Sequence, residues 1–175
     1  MILDLKQLKE KYSLNITGVI HIGSHYGEED KTYGSLNIDK RIYFEPVKSN
    51  YETLLKSTDS NHCEYHNVAL GNTEGTVEIN LSSNMNGSAS VLKPKNHLNL
   101  HPHVEFNGVE EVVMRKLDTY NLPEEYNMIN IDVQGYELEV FRGAENTLCN
   151  IDYIMAEVNR DEVYENCAQI DELEE

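Results

Sequence analysis

The chain has 175 residues, 31 acids against 14 Lys and Arg, a formal net charge of −17 and 39% hydrophobic residues. A single domain of this length buries about 68–70% of its unfolded surface, so composition and size argue for one folded domain rather than disorder. The acidic balance argues against nucleic acid, whose binders release counterions with basic side chains, and against an anionic membrane surface. Most of the acids read as solvated surface, including Glu28, Glu29, Asp30 and the run from Asp161 to Glu175. Cys63, Cys149 and Cys167 are odd in number and lack a Cys-x-x-Cys pair, so they read as reduced thiols. No secretion signal or 18-residue apolar stretch is present, and the expected location is cytoplasmic.

Residues 1–17 open with Ile2, Leu5, Leu8 and Tyr12 at helical spacing, which predicts an amphipathic helix ending near Ser13. The remainder, 18–175, reads as the core of one domain. Gly18-Val-Ile-His-Ile-Gly23 is a short apolar run bounded by glycines, the pattern of a buried strand. A helix follows over Glu28–Leu36, a second strand over Arg41–Glu45 stopped by Pro46, and a helix over Ser49–Lys56. Glu64–Leu70 is a third strand. Thr76–Leu81 and Glu111–Leu117 alternate polar and apolar residues, which predicts half-exposed extra or edge strands. Between them, 82–108 is rich in Ser, Asn, His and Pro and reads as a long functional loop with a short helix near His97. Met128–Asp132 is a buried strand, Tyr136–Arg142 a helix with Gly143 as its C-terminal cap, Tyr153–Val158 a last strand, and Glu162–Glu175 a closing helix.

Strands alternating with helices imply a mostly parallel sheet with helices on both faces. In such sheets ligands sit beyond the carboxyl ends of the strands. The first strand ends in His21-Ile-Gly-Ser-His-Tyr-Gly27, where glycines let backbone and ligand approach and the helix N-terminus offers N–H groups. Its spacing does not match Gly-x-Gly-x-x-Gly, which argues against a dinucleotide. The second strand ends in Glu45, placed to accept ribose hydroxyls. The third ends in small and apolar residues that could cover an adenine. Asp132 and Glu137 follow the fourth strand and Glu157 the fifth; burying such acids is costly without partners or a task. With no phosphate-binding Lys loop, a phosphate-free nucleoside remains, and S-adenosylmethionine is the common one.

Five segments carry a resemblance that runs from about Gly18 to the C-terminus. They are Val19–Glu29, Tyr43-Phe-Glu-Pro46, Val68-Ala-Leu-Gly71, Lys116-Leu-Asp-Thr-Tyr120 and Ile131-Asp-Val-Gln-Gly-Tyr-Glu-Leu-Glu-Val-Phe-Arg-Gly143. Together they resemble the FkbM-type methyltransferases. The resemblance implies a Rossmann-like class I methyltransferase fold and transfer of a methyl group from S-adenosylmethionine to a hydroxyl of a sugar or other small metabolite. By position it implies a cofactor site of His21, Gly23, Ser24, Gly27, Glu45, Pro46, Val68, Ala69 and Asp132, with Asp132 and Glu137 at the active-site rim and 86–90 near the acceptor. His21 stands where the wider class carries an acid. The resemblance also implies two further C-terminal strands, so the chain is expected to be truncated or to pair as a homodimer through an exposed sheet edge. Asp132 is the expected general base and His103 the second choice; no metal is expected. The competing readings are a non-catalytic cofactor-binding or interaction module, and a nucleotide-dependent oxidoreductase, which the missing third glycine opposes.

Overall fold

The computed structural model describes residues 4–58 and 60–173, so Ile2 and the last two acids of the tail lie outside the described residues. Helix α1 (Leu5–Tyr12) starts where Asp4 accepts hydrogen bonds from the Lys6 and Gln7 N–H groups and ends at Ser13 in the left-handed region. An acid at the N-terminus and Lys9 and Lys11 in the last turn suit the helix dipole.

The central sheet is built from β1 (Gly18–Ile22), β2 (Lys40–Phe44), β3 (Cys63–His66), β7 (Met128–Ile131) and β8 (Tyr153–Ala156), in the order β3-β2-β1-β7-β8. Every pairing in it is parallel. β1 and β7 are buried throughout, which explains their continuous apolar runs: both faces are covered. On one face Ile20, Ile22, Phe44, Ile129 and Ile131 pack with Val140 of α5 (Glu137–Arg142) and with Ala144. On the other, Val19, Tyr43 and Met128 pack with Leu5 of α1, Tyr33 of α2 (Asp30–Ser35) and Leu54 of α3 (Lys48–Ser57). Fully burying one such aliphatic or aromatic side chain contributes about 1.5–3 kcal/mol, so these two layers hold the sheet. The expected α/β, Rossmann-like class is therefore what forms.

A second sheet of three strands stands beside it, in the order β4-β6-β5. β4 (Ala69–Leu70) runs parallel to β6 (Phe106–Arg115), and β5 (Gly75–Ser82) pairs antiparallel with β6. Three expectations change here. Glu64–Leu70 is two strands rather than one: the Asn67 side chain donates to the Glu45 and Pro46 carbonyls at 2.8 Å each and turns the chain out of the first sheet into the second. The two alternating segments form this separate sheet instead of edging the first, burying Ile79, Val112 and Met114 against Val47 and Ala69. β6 also starts at Phe106, earlier than expected, because pairing with β5 carries Gly108 and the Glu110–Glu111 pair into strand geometry.

The rest of the chain follows the expected order, with differences in detail. The loop holds a short helix α4 (His97–Leu100). Short α6 (Glu145–Leu148) follows α5. Gly143 ends α5 without a left-handed conformation; its φ is −91°. It is needed for space, since a Cβ there would lie 2.0 Å from the Gly71 carbonyl oxygen. The closing helix is confined, among the described residues, to α7 (Ile170–Leu173), and the segment before it folds as turns that bury Tyr164. No helix among the described residues is long and apolar enough to cross a membrane.

Candidate active site

The direction of chain connection reverses between β1 and β7, and a cleft of about 960 Å³ opens beyond their carboxyl ends. Three backbone bonds align the strand ends around it: Gly23 N–H to the Phe44 carbonyl at 2.9 Å, Asp132 N–H to Ile22 at 3.0 Å and Glu157 N–H to Ile131 at 3.1 Å. Gly23, Glu45, Asp132 and Glu157 thereby share one rim. The volume lies within the roughly 300–1,000 Å³ of small-molecule sites.

Gly23 has φ +73°, and a Cβ there would sit 1.9 Å from the Asp132 carbonyl oxygen. Gly27 has φ +74°, with Thr58 2.5 Å from a built Cβ. The glycines thus let the β1 turn nest against its neighbours in the fold as well as bare its backbone to the cleft. Between them Ser24 is buried, and His25 adopts a left-handed φ of +48°.

Glu45 is only 4% exposed yet lines the cleft. Its two oxygens accept from the His25 N–H at 2.8 Å and the Val47 N–H at 2.9 Å. Burial pushes its acid up to about 7; those two N–H bonds oppose the shift only in part. Pro46, Val68, Ala69 and Leu70 form an apolar wall next to it, continued by Ile79 and Val91.

Across the cleft, Asp132 and Glu157 flank one amide. The Gln134 side-chain N–H₂ donates to Asp132 at 2.7 Å and to Glu157 at 3.2 Å. Gln134 holds a left-handed φ of +55°, and its side-chain oxygen accepts from the buried Tyr164 hydroxyl at 2.7 Å. Asp132 is reachable by water at the cleft mouth, while protein atoms crowd its carboxylate. That crowding, and then the Glu157 carboxylate beside it, hold its acid well above the usual range, against the opposing Gln134 bond.

His21, at the floor of the cleft, is 4% exposed. Its ring meets the Tyr33 hydroxyl at 3.3 Å and the Asn130 amide at 3.4 Å. Burial lowers its pKa to about 4, against the pull of Glu28 and Asp30, so it is neutral near pH 7. It therefore cannot carry charge in the place of an acid.

Three expected residues, His103, Glu137 and Gly27, do not line the cleft. His103 is exposed, with its nearest ring partner His101 at 6.1 Å, and it does not line the cavity. Glu137 is 1% exposed and points under the turn, accepting from the Val133 N–H at 3.1 Å and the Gly135 N–H at 3.2 Å. It holds the loop that presents Asp132 and does not line the cavity itself. The rest of the expected set, His21, Gly23, Ser24, Glu45, Pro46, Val68, Ala69 and Asp132, lines one cavity, whereas Gly27 packs against Thr58 and Leu54. Sequence reasoning passed over Gln134 and His25, whose only local signal is an amide or imidazole within two residues of a glycine in a strand-end turn. It also passed over Tyr164, placed by a segment expected to be helical. Among the described residues no cluster of three or more His, Cys, Asp or Glu has the geometry to hold a metal ion.

Comparison with known proteins places this cleft in context. The family model described as "Methyltransferase FkbM domain" matches residues 21–175. The 2-O-methyltransferase NoeI of Sinorhizobium fredii (strain NBRC 101917 / NGR234) is 33% identical over 108 residues, which cover 56% of this chain and 44% of that protein. The match thus spans less than half of the relative's length. No solved structure matches.

Proposed function

Because this chain belongs to the FkbM methyltransferase family, we propose that it binds S-adenosylmethionine in the cleft and transfers a methyl group to a hydroxyl oxygen of a sugar or other small metabolite. One observation carries the reading. Among the described residues the cleft is lined by six acids, Asp4, Glu28, Glu29, Glu45, Asp132 and Glu157, by two histidines, His21 and His25, and by no Lys or Arg, so acids dominate it. Such a lining repels phosphate and suits a cationic ligand. It fits a sulfonium nucleoside and opposes a pyrophosphate-bearing one.

The residues present fit that cofactor. Glu45 would receive the ribose hydroxyls, Val68, Ala69 and Leu70 would cover the adenine, and the turn at Gly23 and Ser24 would hold the amino-acid end. When bound, the cofactor supplies an electrophilic methyl group. The chain's own task is to align an acceptor hydroxyl and take its proton. Alignment of this kind is worth effective molarities of roughly 10⁵–10⁸ M. Asp132 is placed to be the base: it faces the cleft, and its raised acid makes it a stronger base than an ordinary carboxylate. Gln134 holds it in place by donating to it and to Glu157. The relative's 2-O-methyl transfer supports an oxygen acceptor.

Calorimetry with S-adenosylmethionine and with NAD tests the binding reading; affinity for NAD alone would overturn it. Asp132→Asn tests the chemistry in a screen of glycan and small-metabolite acceptors. It should lose transfer by about 10²-fold or more with cofactor affinity kept. Full transfer by that variant would remove Asp132 from the mechanism.

A further inference from the structure

The turn after β1 carries a residue that the methyl-transfer scheme does not use. His25 stands between the two glycines in a left-handed conformation, a strained state for a residue with a Cβ. Its backbone N–H holds Glu45. Its ring Nδ1 lies 2.7 Å from Glu28 Oε1, and its Nε2 lies 3.0 Å from the Met85 carbonyl oxygen. Tyr26 stacks on the ring at 3.8 Å.

The partner atoms decide its protonation state. A backbone carbonyl only accepts, and an ionised carboxylate only accepts. Both ring nitrogens must therefore donate, which only the imidazolium form can do. Glu28 is ionised in this arrangement: burial raises its acid, but hydrogen bonds from the His25 ring and from the Glu28 and Tyr26 N–H groups outweigh that and hold it below the usual range. The charged groups facing the ring are Glu28 and Glu29 at the start of α2 and Glu45 at the end of β2. The 82–90 loop adds no charge of its own.

The far side of the contact is also strained. Met85 and Asn86 have φ of +60° and +62°. The loop is bonded within itself, Asn86 N–H to Ser82 and Gly87 N–H to Asn84. Its other end is fixed by the Tyr164 hydroxyl on the Ser88 carbonyl and by Ser90 on Gln134. Asn86, Gly87, Ala89 and Ser90 line the cleft. Ser82, Asn84, Asn86 and Ser88 brace the loop internally and Ser83 bonds Glu105, while the ring of His25 ties its tip at Met85 to the β1 turn.

We propose that His25 is a positioning residue: as an imidazolium bridging Glu28 and the Met85 carbonyl, it clasps the 82–90 loop over the cofactor cleft, and its deprotonation releases that loop. Loss of the proton leaves one of the two nitrogens an acceptor facing an acceptor, so one bond fails. The clasp rests on the reading that the cleft holds the cofactor, but its own geometry can be tested without ligand.

The test follows the nitrogen shifts of the histidine rings by NMR, and backbone hydrogen exchange over 84–88, across about pH 6 to about pH 9. Bound and free protein are compared using S-adenosylhomocysteine as probe. The clasp predicts that both His25 nitrogens carry protons at the acid end. It predicts that loop exchange and probe dissociation each rise roughly three- to tenfold as the ring loses its charge. His25→Asn keeps a residue tolerant of the left-handed region and keeps the N–H to Glu45; its loop should exchange fast at every pH. Glu28→Gln, which keeps an oxygen to accept from the Tyr26 N–H, should release the loop at a lower pH than the native chain. A single neutral tautomer across the range overturns the clasp, as does unchanged loop protection in both variants. If the native chain fails to bind the probe, the cofactor reading fails, while the ring shifts and loop exchange still decide the clasp.

Discussion

Two strand-to-helix turns frame the cleft, one after β1 and one after β7, and each donates backbone N–H to a buried acid that two such groups clamp, Glu45 at the end of β2 for the first and Glu137 at the start of α5 for the second. Glu45 accepts from His25 and Val47; Glu137 accepts from Val133 and Gly135. The chemistry is the same, but the placement differs. Glu45 lines the cavity, so its carboxylate can answer to a ligand; Glu137 lies beneath its turn, so its carboxylate answers only to the fold. An acid's role here follows from which side of a turn it occupies.

The comparison can be broken first at the backbone. Gly23→Ala puts a Cβ against the Asp132 carbonyl at a left-handed φ, driving the two turns apart. It should cost more than about 3 kcal/mol, a fall in Tm of roughly 10 °C in a domain of this size, and calorimetric melting measures it. A change under about 1 kcal/mol would mean the turns do not nest as described.

Glu137→Ala comes next. It strands two N–H groups, Gly135's in the buried turn among them, at about 1–3 kcal/mol each. Thermal melting should show the loss, while cofactor affinity measured well below the melting range stays within about twofold. A large loss of affinity in fully folded protein would give Glu137 a ligand role.

Glu45→Gln should do the reverse, weakening cofactor binding by about tenfold. It should also change how stability depends on pH. The folded acid titrates at about 7 against an ordinary 4.5, so the folded state binds more protons between those values. The stability contributed by this group is therefore full below about 4.5 and falls as pH rises to about 7. The variant lacks that fall, so melting curves of the two proteins should diverge from pH 4.5 to pH 7. Parallel curves would place Glu45 outside the buried setting described.

The smallest effect belongs to His103→Ala. An exposed side chain away from both turns should shift stability by no more than about 0.5 kcal/mol and leave binding untouched. Lost methyl transfer in that variant would bring the loop into the chemistry.

Much of this was legible in the sequence. Continuous apolar runs marked β1 and β7, and the strand-end positions of Gly23, Glu45 and Asp132 marked the rim. What was hidden has a common cause, since it depends on contacts between distant segments. Asn67 splits one apolar run into strands of two sheets through bonds to Glu45 and Pro46. Asp132 and Glu137 look alike in sequence, and only the direction of the Gly135 turn separates them. Gln134 joins Asp132, Glu157 and Tyr164, residues up to 30 positions away.

The central claim is that Glu45 and the Gly23 turn jointly hold an adenosyl group. A crystal structure with S-adenosylhomocysteine tests it most directly. The ribose hydroxyls should lie within hydrogen-bond distance of Glu45, with the adenine against Val68 and Ala69. A nucleoside bound elsewhere, or one whose ribose faces away from Glu45, contradicts the account.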